Sequence, residues 1–166
     1  MAITSRRTVI ATMGAGLLAA CGFELRRPPV LPFDRLALLG FRPDSPLGLE
    51  LRRQLGLSAN TRVVDSPAQA EAVFEAHRDL REKVVAASTA AGQVRELQLR
   101  VRLEFSLRSA AGKELIPRTE LLLKRDMNYN ERDALAKEQE EALLFRAMQA
   151  DVVSQVMSRL AAARPS

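Results

Sequence analysis

One stretch in the second half of the chain alternates strictly between apolar and polar side chains. The apolar residues stand at successive odd positions, and they are Leu97, Leu99, Val101, Leu103, Phe105 and Leu107. Because successive side chains of a β-strand point to opposite faces, this pattern predicts a long strand with one face in a core and the other facing water. The chain must therefore fold around an amphipathic sheet.

Three further strands are predicted from apolar runs and turn residues. Residues 115–127 follow the long strand after a short turn that contains Gly112, which is typical of a hairpin. Residues 33–39 form a short apolar run that predicts a first strand. Residues 70–88 alternate only in part, and they are interpreted as the second strand.

Capping residues and helical spacing predict two helices. Ser45 and Pro46 provide a cap and a proline at the first helical position, and leucines recur every four residues until Gly56. The second helix is predicted from Asp133 to about Ala162. Its apolar residues follow i+4 steps at Leu144, Met148, Val152, Val156 and Leu160. This order predicts an α+β fold, with two helices packed on one face of a four-stranded, mainly antiparallel sheet.

The start of the chain has the features of a lipoprotein signal peptide. Arg6 and Arg7 precede an apolar stretch over residues 8–20, and residues 18–21 read Leu-Ala-Ala-Cys, which is a lipobox. The apolar stretch is shorter than the roughly 20 residues that a membrane-spanning helix needs. We therefore expect residues 1–20 to be a cleaved signal. The alternative is an ordinary signal peptide with a chance cysteine.

Cleavage at the lipobox would leave Cys21 as an acylated N-terminal residue. Gly22 stands where an aspartate would resemble an inner-membrane retention signal, so the outer membrane is favoured. Residues 21–32 are interpreted as the lipidated N-terminus and a proline-rich tether, and residues 33–166 as a single domain. Residues 5–10 also resemble a twin-arginine export motif, so the export route stays open.

Composition and residue types exclude several classes of function. The two arginines leave with the signal peptide, so the formal net charge falls from +5 to +3, and we expect no nucleic-acid binding. His77 is the only histidine and Cys21 the only cysteine. A metal or nucleophilic site is hard to assemble from them, and we predict no catalytic residue, no metal and no cofactor. Glu138, Glu140 and Glu141 are interpreted as a solvated helix face.

Two sequence blocks resemble a known family. Residues 21–26 read Cys-Gly-Phe-Glu-Leu-Arg, and residues 125–130 read Arg-Asp-Met-Asn-Tyr-Asn. The second block leads into residues 135–141, Leu-Ala-Lys-Glu-Gln-Glu-Glu, and then into Met148 and Asp151. These motifs are similar to the opening and the strand-to-helix block of LptE, the lipopolysaccharide-assembly lipoproteins.

The resemblance implies a protein anchored in the outer membrane on its periplasmic side. Such a protein plugs the β-barrel LptD, assists its assembly and binds lipopolysaccharide during insertion into the outer leaflet, without covalent chemistry. The implied fold has two helices against a four-stranded sheet. The alternatives are a lipoprotein that scaffolds another envelope complex without binding glycolipid, and a binding protein exported by the twin-arginine route.

The resemblance also provides candidates for lipopolysaccharide binding. Lipopolysaccharide carries phosphates, which lysine and arginine bind through charge-assisted contacts. Lys137, which matches a lysine of the family motif, is the first candidate and Arg125 the second. The family uses a basic residue near the turn before the long middle strand. Residues 88–92 have none here, so Arg95 is the third candidate. A solvated surface charge is the alternative for each residue.

A plug inside a barrel is expected to present polar side chains to the wet lumen. The sequence offers Arg100, Arg102, Glu104, Lys113, Arg118 and Lys124 for this contact. Arg100 and Arg102 are also the alternatives to Arg95 in the lipid site. The same six residues would suit a freely solvated face.

Overall fold

The computed structural model describes residues 30–164. The predicted signal peptide, Cys21 and most of the tether lie outside the described residues. The described part contains five strands and two helices. In chain order they are β1 (Arg35–Leu39), α1 (Pro46–Gly56), β2 (Arg62–Val64), β3 (Ala72–Ser88), β4 (Val94–Ser109), β5 (Glu114–Asn128) and α2 (Ala134–Ala162). Short 3₁₀ turns at Pro67–Gln69 and Glu131–Asp133 precede β3 and α2.

The strands form one mixed sheet in the order β2-β1-β3-β4-β5. β1 is parallel to both β2 and β3, whereas β4 is antiparallel to both β3 and β5. The α+β prediction with two helices is confirmed, but the prediction of four strands in a mainly antiparallel sheet was wrong. β2 has only three residues, too few to show an alternation. The crossover through α1 also makes β1 and β2 parallel.

Helix α1 begins at a buried serine that has two hydrogen-bonding partners. The hydroxyl of Ser45 accepts from the backbone N–H of Gly48 at 2.9 Å and caps the helix. The same hydroxyl donates to the carboxylate of Asp79 in β3. One side chain therefore both starts the helix and ties it to the longest strand.

Both helices pack on one face of the sheet, which we call the helix face. The predicted odd-numbered residues of β4 are all buried, and those from Leu99 to Leu107 share one core with leucines of α1 and with the second half of α2. Phe74 stacks between Phe41 and Phe105, with ring centroids 5.9 and 4.9 Å away. Such offset aromatic pairs add stability beyond their buried area. The alternation in β4 is thus confirmed as the organising feature of the core.

Gly40, directly after β1, cannot be replaced without strain. Its φ is +81°, in the region that favours glycine. A Cβ at this position would lie 2.0 Å from the backbone oxygen of Ala76 in β3. The close approach of these two backbones therefore depends on the missing side chain.

The opposite face of the sheet, which we call the open face, is not covered by either described helix. The even-numbered residues of β4 point to it, together with their neighbours on β3 and β5. The sheet also has two distinct ends. The tip end comprises the β3–β4 turn at residues 89–93 and the first turns of α2, and the core end comprises β1, β2 and α1.

Candidate functional site

Lys137, the first lipid-binding candidate, lies in the second turn of α2 at the tip end. Its ammonium is 2.8 Å from a carboxylate oxygen of Glu140, and 21% of its side chain is exposed. Ion pairs at this helical spacing contribute only about 0.2–0.5 kcal/mol. The lysine is therefore held in place by a bond that a stronger anion can displace.

Arg125, the second candidate, is not brought together with Lys137. It stands on the helix face of β5, opposite Leu99, and its guanidinium is 3.3 Å from the carboxylate of Asp151 in α2. Asp151 follows Lys137 by fourteen residues, which is about 21 Å along a helix. A single phosphate cannot contact both candidates.

Arg95, the third candidate, lies at the tip end with Lys137. It is exposed at the start of β4 and lines a polar cleft between this strand and the 3₁₀ turn that precedes α2. Arg132, from that turn, lines the same cleft. Arg132 could not be identified from the sequence, because a lone arginine between a strand and a helix carries no periodic or motif signal.

Charged groups also join α2 to the sheet at the tip end. The ammonium of Lys83 is 2.7 Å from a carboxylate oxygen of Glu141, and the guanidinium of Arg81 lies 4.2 Å from the ring centre of Phe145. The interpretation of the helix glutamates as solvated is wrong for Glu141, which is only 18% exposed. The partial alternation of β3 could have indicated this contact from the sequence, because Arg81 and Lys83 occupy odd-numbered positions of the strand that face the helix.

The open face is charged and largely cross-linked. Its side-chain bonds join Arg102 to Glu120, Arg118 to Glu104, Arg108 to Glu75 and Gln98 to Asp126. Five of the six residues predicted for a lumen contact lie on this face, and Lys113 lies in the β4–β5 turn. Arg100 and Lys124 stand directly opposite each other, and neither forms an ion pair within residues 30–164.

One ion pair of the open face changes the acidity of its members. The hydrogen bond from Arg118 holds the pKa of the Glu104 carboxyl below its ordinary value. The same bond raises the pKa of the Arg118 guanidinium. Both groups therefore remain charged over the physiological range, and the face presents fixed charges of both signs.

The described residues offer no assembled reactive group. His77 stands at an irregularity of β3, and its Nε2 atom is 2.8 Å from the hydroxyl of Ser106. Between residues 30 and 164, no cluster of three or more histidine, cysteine, aspartate or glutamate residues has a metal-binding arrangement. Across the same residues, no helix has the length and apolar character needed to cross a membrane. The arrangement is suited to binding polar or anionic groups.

Comparison with known proteins relates this fold to envelope lipoproteins. The sequence model of LptE, described as lipopolysaccharide-assembly, matches residues 33–160. An uncharacterised lipoprotein B from Nitrosomonas europaea, solved by NMR, is 31% identical with a TM-score of 0.68, over 82% of this chain and 88% of its own. No curated protein sequence matches the chain significantly.

Two crystal structures with lower identity support the fold alone. Rare lipoprotein B from Shewanella oneidensis is 23% identical with a TM-score of 0.64, over 77% of this chain and 94% of its own. A minor lipoprotein from Acinetobacter baumannii is 19% identical with a TM-score of 0.61, over 81% of this chain and 99% of its own.

Proposed function

This chain belongs to the LptE family, and on that premise we propose that it plugs an LptD-type β-barrel, assists the assembly of that barrel and binds lipopolysaccharide. Members of the family are non-enzymatic lipoproteins of the outer membrane. A role in lipopolysaccharide assembly in the cell envelope follows from membership. The barrel partner, the lipid ligand and the lipid anchor are supported by different observations, and separate experiments test them.

The observation that carries the proposal is the charged open face. A barrel lumen is wet and polar, so a plug needs a hydrated surface with charges of both signs rather than an apolar patch. The opposed cations Arg100 and Lys124 support this contact, because like charges directly opposite each other on two strands destabilise a free sheet. Carboxylates from a barrel wall would relieve that repulsion.

Co-purification tests the barrel contact. We expect protein extracted from native membranes in mild detergent to carry a β-barrel partner in equal amount. The double variant Arg100→Glu/Lys124→Glu should lose the partner while its thermal midpoint stays within a few degrees of the wild type, since the opposed charges remain alike. Arg146→Glu, which changes an exposed arginine of α2, is the matched control. Recovery of the wild type as a lone monomer would contradict the proposal.

Lipopolysaccharide binding is proposed for the tip end, with Lys137 as the principal contact and Arg95 beside it. A lipid phosphate brings more charge than the carboxylate of Glu140 and can displace it from the lysine. Arg125 is retained as a separate contact, because its ion pair with Asp151 is about half exposed and therefore weak.

The role of Lys137 can be tested with one variant that should lower lipopolysaccharide binding and one that should increase it. We expect Lys137→Asp to lower lipopolysaccharide binding with little change in the thermal midpoint, and Glu140→Gln to increase binding by releasing the lysine. Arg146→Asp should change neither quantity. If Lys137→Asp binds lipopolysaccharide as the wild type does, Lys137 is a surface charge with no role in binding. If a barrel co-purifies and neither the wild type nor the Glu140→Gln variant binds lipopolysaccharide, the chain is a scaffold without a glycolipid ligand.

The anchor is proposed for Cys21, after removal of residues 1–20, with residues 21–32 as a tether to a domain over residues 33–166. The lipobox and the lipoprotein relative from Nitrosomonas europaea support it. Intact-mass measurement on membrane-extracted protein should show an acylated N-terminus at Cys21. The Cys21→Ser variant should be released from the membrane fraction, and an unmodified wild-type N-terminus would contradict the proposal.

A further inference from the structure

β5 forms one edge of the sheet, and its outer side is free to pair with another strand. The strand order ends at β5, and across residues 30–164 its only strand neighbour is β4. β5 has fifteen residues, whereas the opposite edge strand, β2, has three. A long free edge is a template for another strand unless its side chains prevent the pairing. The charges along β5 therefore decide which partner this edge accepts.

The open-face side chains of β5 carry charges whose order reverses about Leu122. In chain order these residues are Arg118, Glu120, Leu122, Lys124 and Asp126. The signs run positive, negative, neutral, positive and negative, and the four charged side chains are exposed. A second copy of β5, antiparallel about Leu122, places Arg118 opposite Asp126. The same register places Glu120 opposite Lys124, and the two-fold symmetry makes each of these pairs occur twice.

The neighbouring antiparallel registers are disfavoured by like charges. A shift of the axis by one residue places Arg118 opposite Lys124 in one direction, and Glu120 opposite Asp126 in the other. A shift by two residues places Glu120 or Lys124 opposite its own copy. Like charges directly opposite each other destabilise a strand pair, whereas opposite charges stabilise it. The edge is therefore self-complementary in one register.

The charges of β4 extend this complementarity across the sheet. Arg100 stands opposite Lys124, and Glu104 stands opposite Glu120, so each copy contains one row with two cations and one with two carboxylates. In the register centred on Leu122, the cationic row of one copy continues into the acidic row of the other. The repulsion within each row is then offset by attraction between the copies.

We propose that two copies of this chain pair through antiparallel β5 strands about a two-fold axis at Leu122. Five strands from each copy then form one continuous sheet. Leu122 meets its own copy on the open face, and Leu121 stands opposite Leu123 of the second copy on the helix face. One added strand pair is smaller than a standard stable interface, so the dimer is weak, with a Kd of about 0.1–1 mM. It covers the free edge while the chain has no other partner.

A disulfide trap tests the register. In a Cys21→Ser background the introduced thiol is the only one. We expect Leu122→Cys to form a disulfide-linked dimer, because directly opposite Cα atoms are about 4.5–5.5 Å apart, within the range of a disulfide. Thr119→Cys is the matched control on the same strand, because it preserves every charge and its two thiols are about 20 Å apart along the sheet. Arg146→Cys measures random collisions, and both controls should link far more slowly.

Charge complementation tests the pairing itself, by sedimentation of the full chain in excess neutral maltoside micelles. We expect the wild type to associate as its concentration rises. Lys124→Glu and Glu120→Lys should each weaken self-association at least about tenfold, because the symmetry applies each repulsion twice. An equal mixture of these two variants should regain association, since glutamate pairs then meet lysine pairs. Arg146→Glu should behave as the wild type does.

Each outcome supports or refutes the dimer. Restored association in the mixture also shows that the two charge variants are folded. A monomeric wild type at all concentrations, or Leu122→Cys linking no faster than Arg146→Cys, would overturn the proposal. Linking without restored association would refute the register. If Leu122→Cys links to a different protein in native membranes, the edge belongs to that partner and self-pairing is wrong. Loss of the barrel partner would instead refute the proposed function and leave the dimer intact.

Discussion

The two halves of α2 are held to the sheet by different chemistry. In the second half, apolar side chains are buried in the core, and they are Phe145, Met148, Val152, Val153, Val156, Met157 and Leu160. In the first half, none of residues 134–144 is fully buried. The ion pair between Lys83 and Glu141 joins this half to β3 instead. One continuous helix therefore has an apolar attachment at one end and a charged attachment at the other.

The two halves of α2 therefore contribute differently to the free energy of unfolding and to the proposed binding site. A fully buried aliphatic or aromatic side chain contributes about 1.5–3 kcal/mol, whereas a solvent-accessible ion pair contributes about 0–1 kcal/mol. The second half of α2 therefore carries most of the folding free energy of the helix. The first half contains Lys137 and follows the polar cleft that Arg95 and Arg132 line, and its weak charged contacts are the ones that the proposed anionic ligand would replace. Regions with few buried apolar contacts also open at lower free energy.

The largest effect is expected when an aspartate is placed in the second half of α2 and compared with an aspartate in the first half. Val156→Asp should abolish folding, because Val156 is fully buried and an unpaired charge in the core costs several kcal/mol. Leu143→Asp should change the free energy of unfolding by less than about 0.5 kcal/mol, since Leu143 is 59% exposed. Urea unfolding followed by circular dichroism measures both. Similar losses in the two variants would refute the contrast between the halves.

Two glycines extend the comparison to the two ends of the sheet. Gly40 at the core end and Gly92 at the tip end both have positive φ values, +81° and +79°. Only Gly40 approaches another backbone, while nothing lies within 4 Å of a Cβ at Gly92. Gly40→Ala should therefore cost at least about 3 kcal/mol, and Gly92→Ala only about 1–2 kcal/mol from the backbone conformation alone. Equal losses of the free energy of unfolding would show that the close approach is unimportant.

The same contrast explains which parts of the fold could be predicted from the sequence. The alternation in β4 and the i+4 spacing in α2 reflect burial on one face, so both elements were predicted with nearly correct bounds. β2 is an edge strand of three residues, and its parallel pairing with β1 depends on a tertiary arrangement rather than on local sequence. Periodicity therefore revealed the apolar core and gave no indication of the edge strand.

The candidate site was less predictable because charged residues have no periodic constraint. Lys137 and Arg95 were identified through the family resemblance, and the structure places both at the tip end. Arg132 joins Arg95 only through the fold, since the two lie 37 positions apart in the chain. Lys83 faces α2 because the strand register places it there. Charge partners that are distant in sequence become visible only when the sheet and helix are assembled.

The charged attachment of α2 predicts a small and salt-dependent coupling. A double-mutant cycle with Lys83→Ala and Glu141→Ala should give a coupling of about 0.5–1 kcal/mol at low ionic strength, and less in 1 M salt. Amide hydrogen exchange in residues 134–144 should accordingly be faster than in residues 148–160. A coupling well above this range, or uniform protection along α2, would mean that the first half is as firmly held as the second.

The smallest effect is expected on the open face, at Glu104 and Arg118. The pKa of Glu104 is lowered in the folded state by the hydrogen bond from Arg118. The contribution of this pair to stability is therefore present above the unfolded-state pKa of a glutamate, about 4.3, and is lost as the pH falls through the lower folded-state value. An NMR titration of the Glu104 carboxyl should show the lowered pKa, and Arg118→Gln should return it towards the ordinary value. Because both side chains are accessible to solvent, the free energy of unfolding should change little in this variant near neutral pH, in contrast to Val156→Asp. An unshifted pKa in the wild type would mean that the guanidinium and the carboxylate are not held together, and the open face would then present mobile rather than fixed charges to a partner.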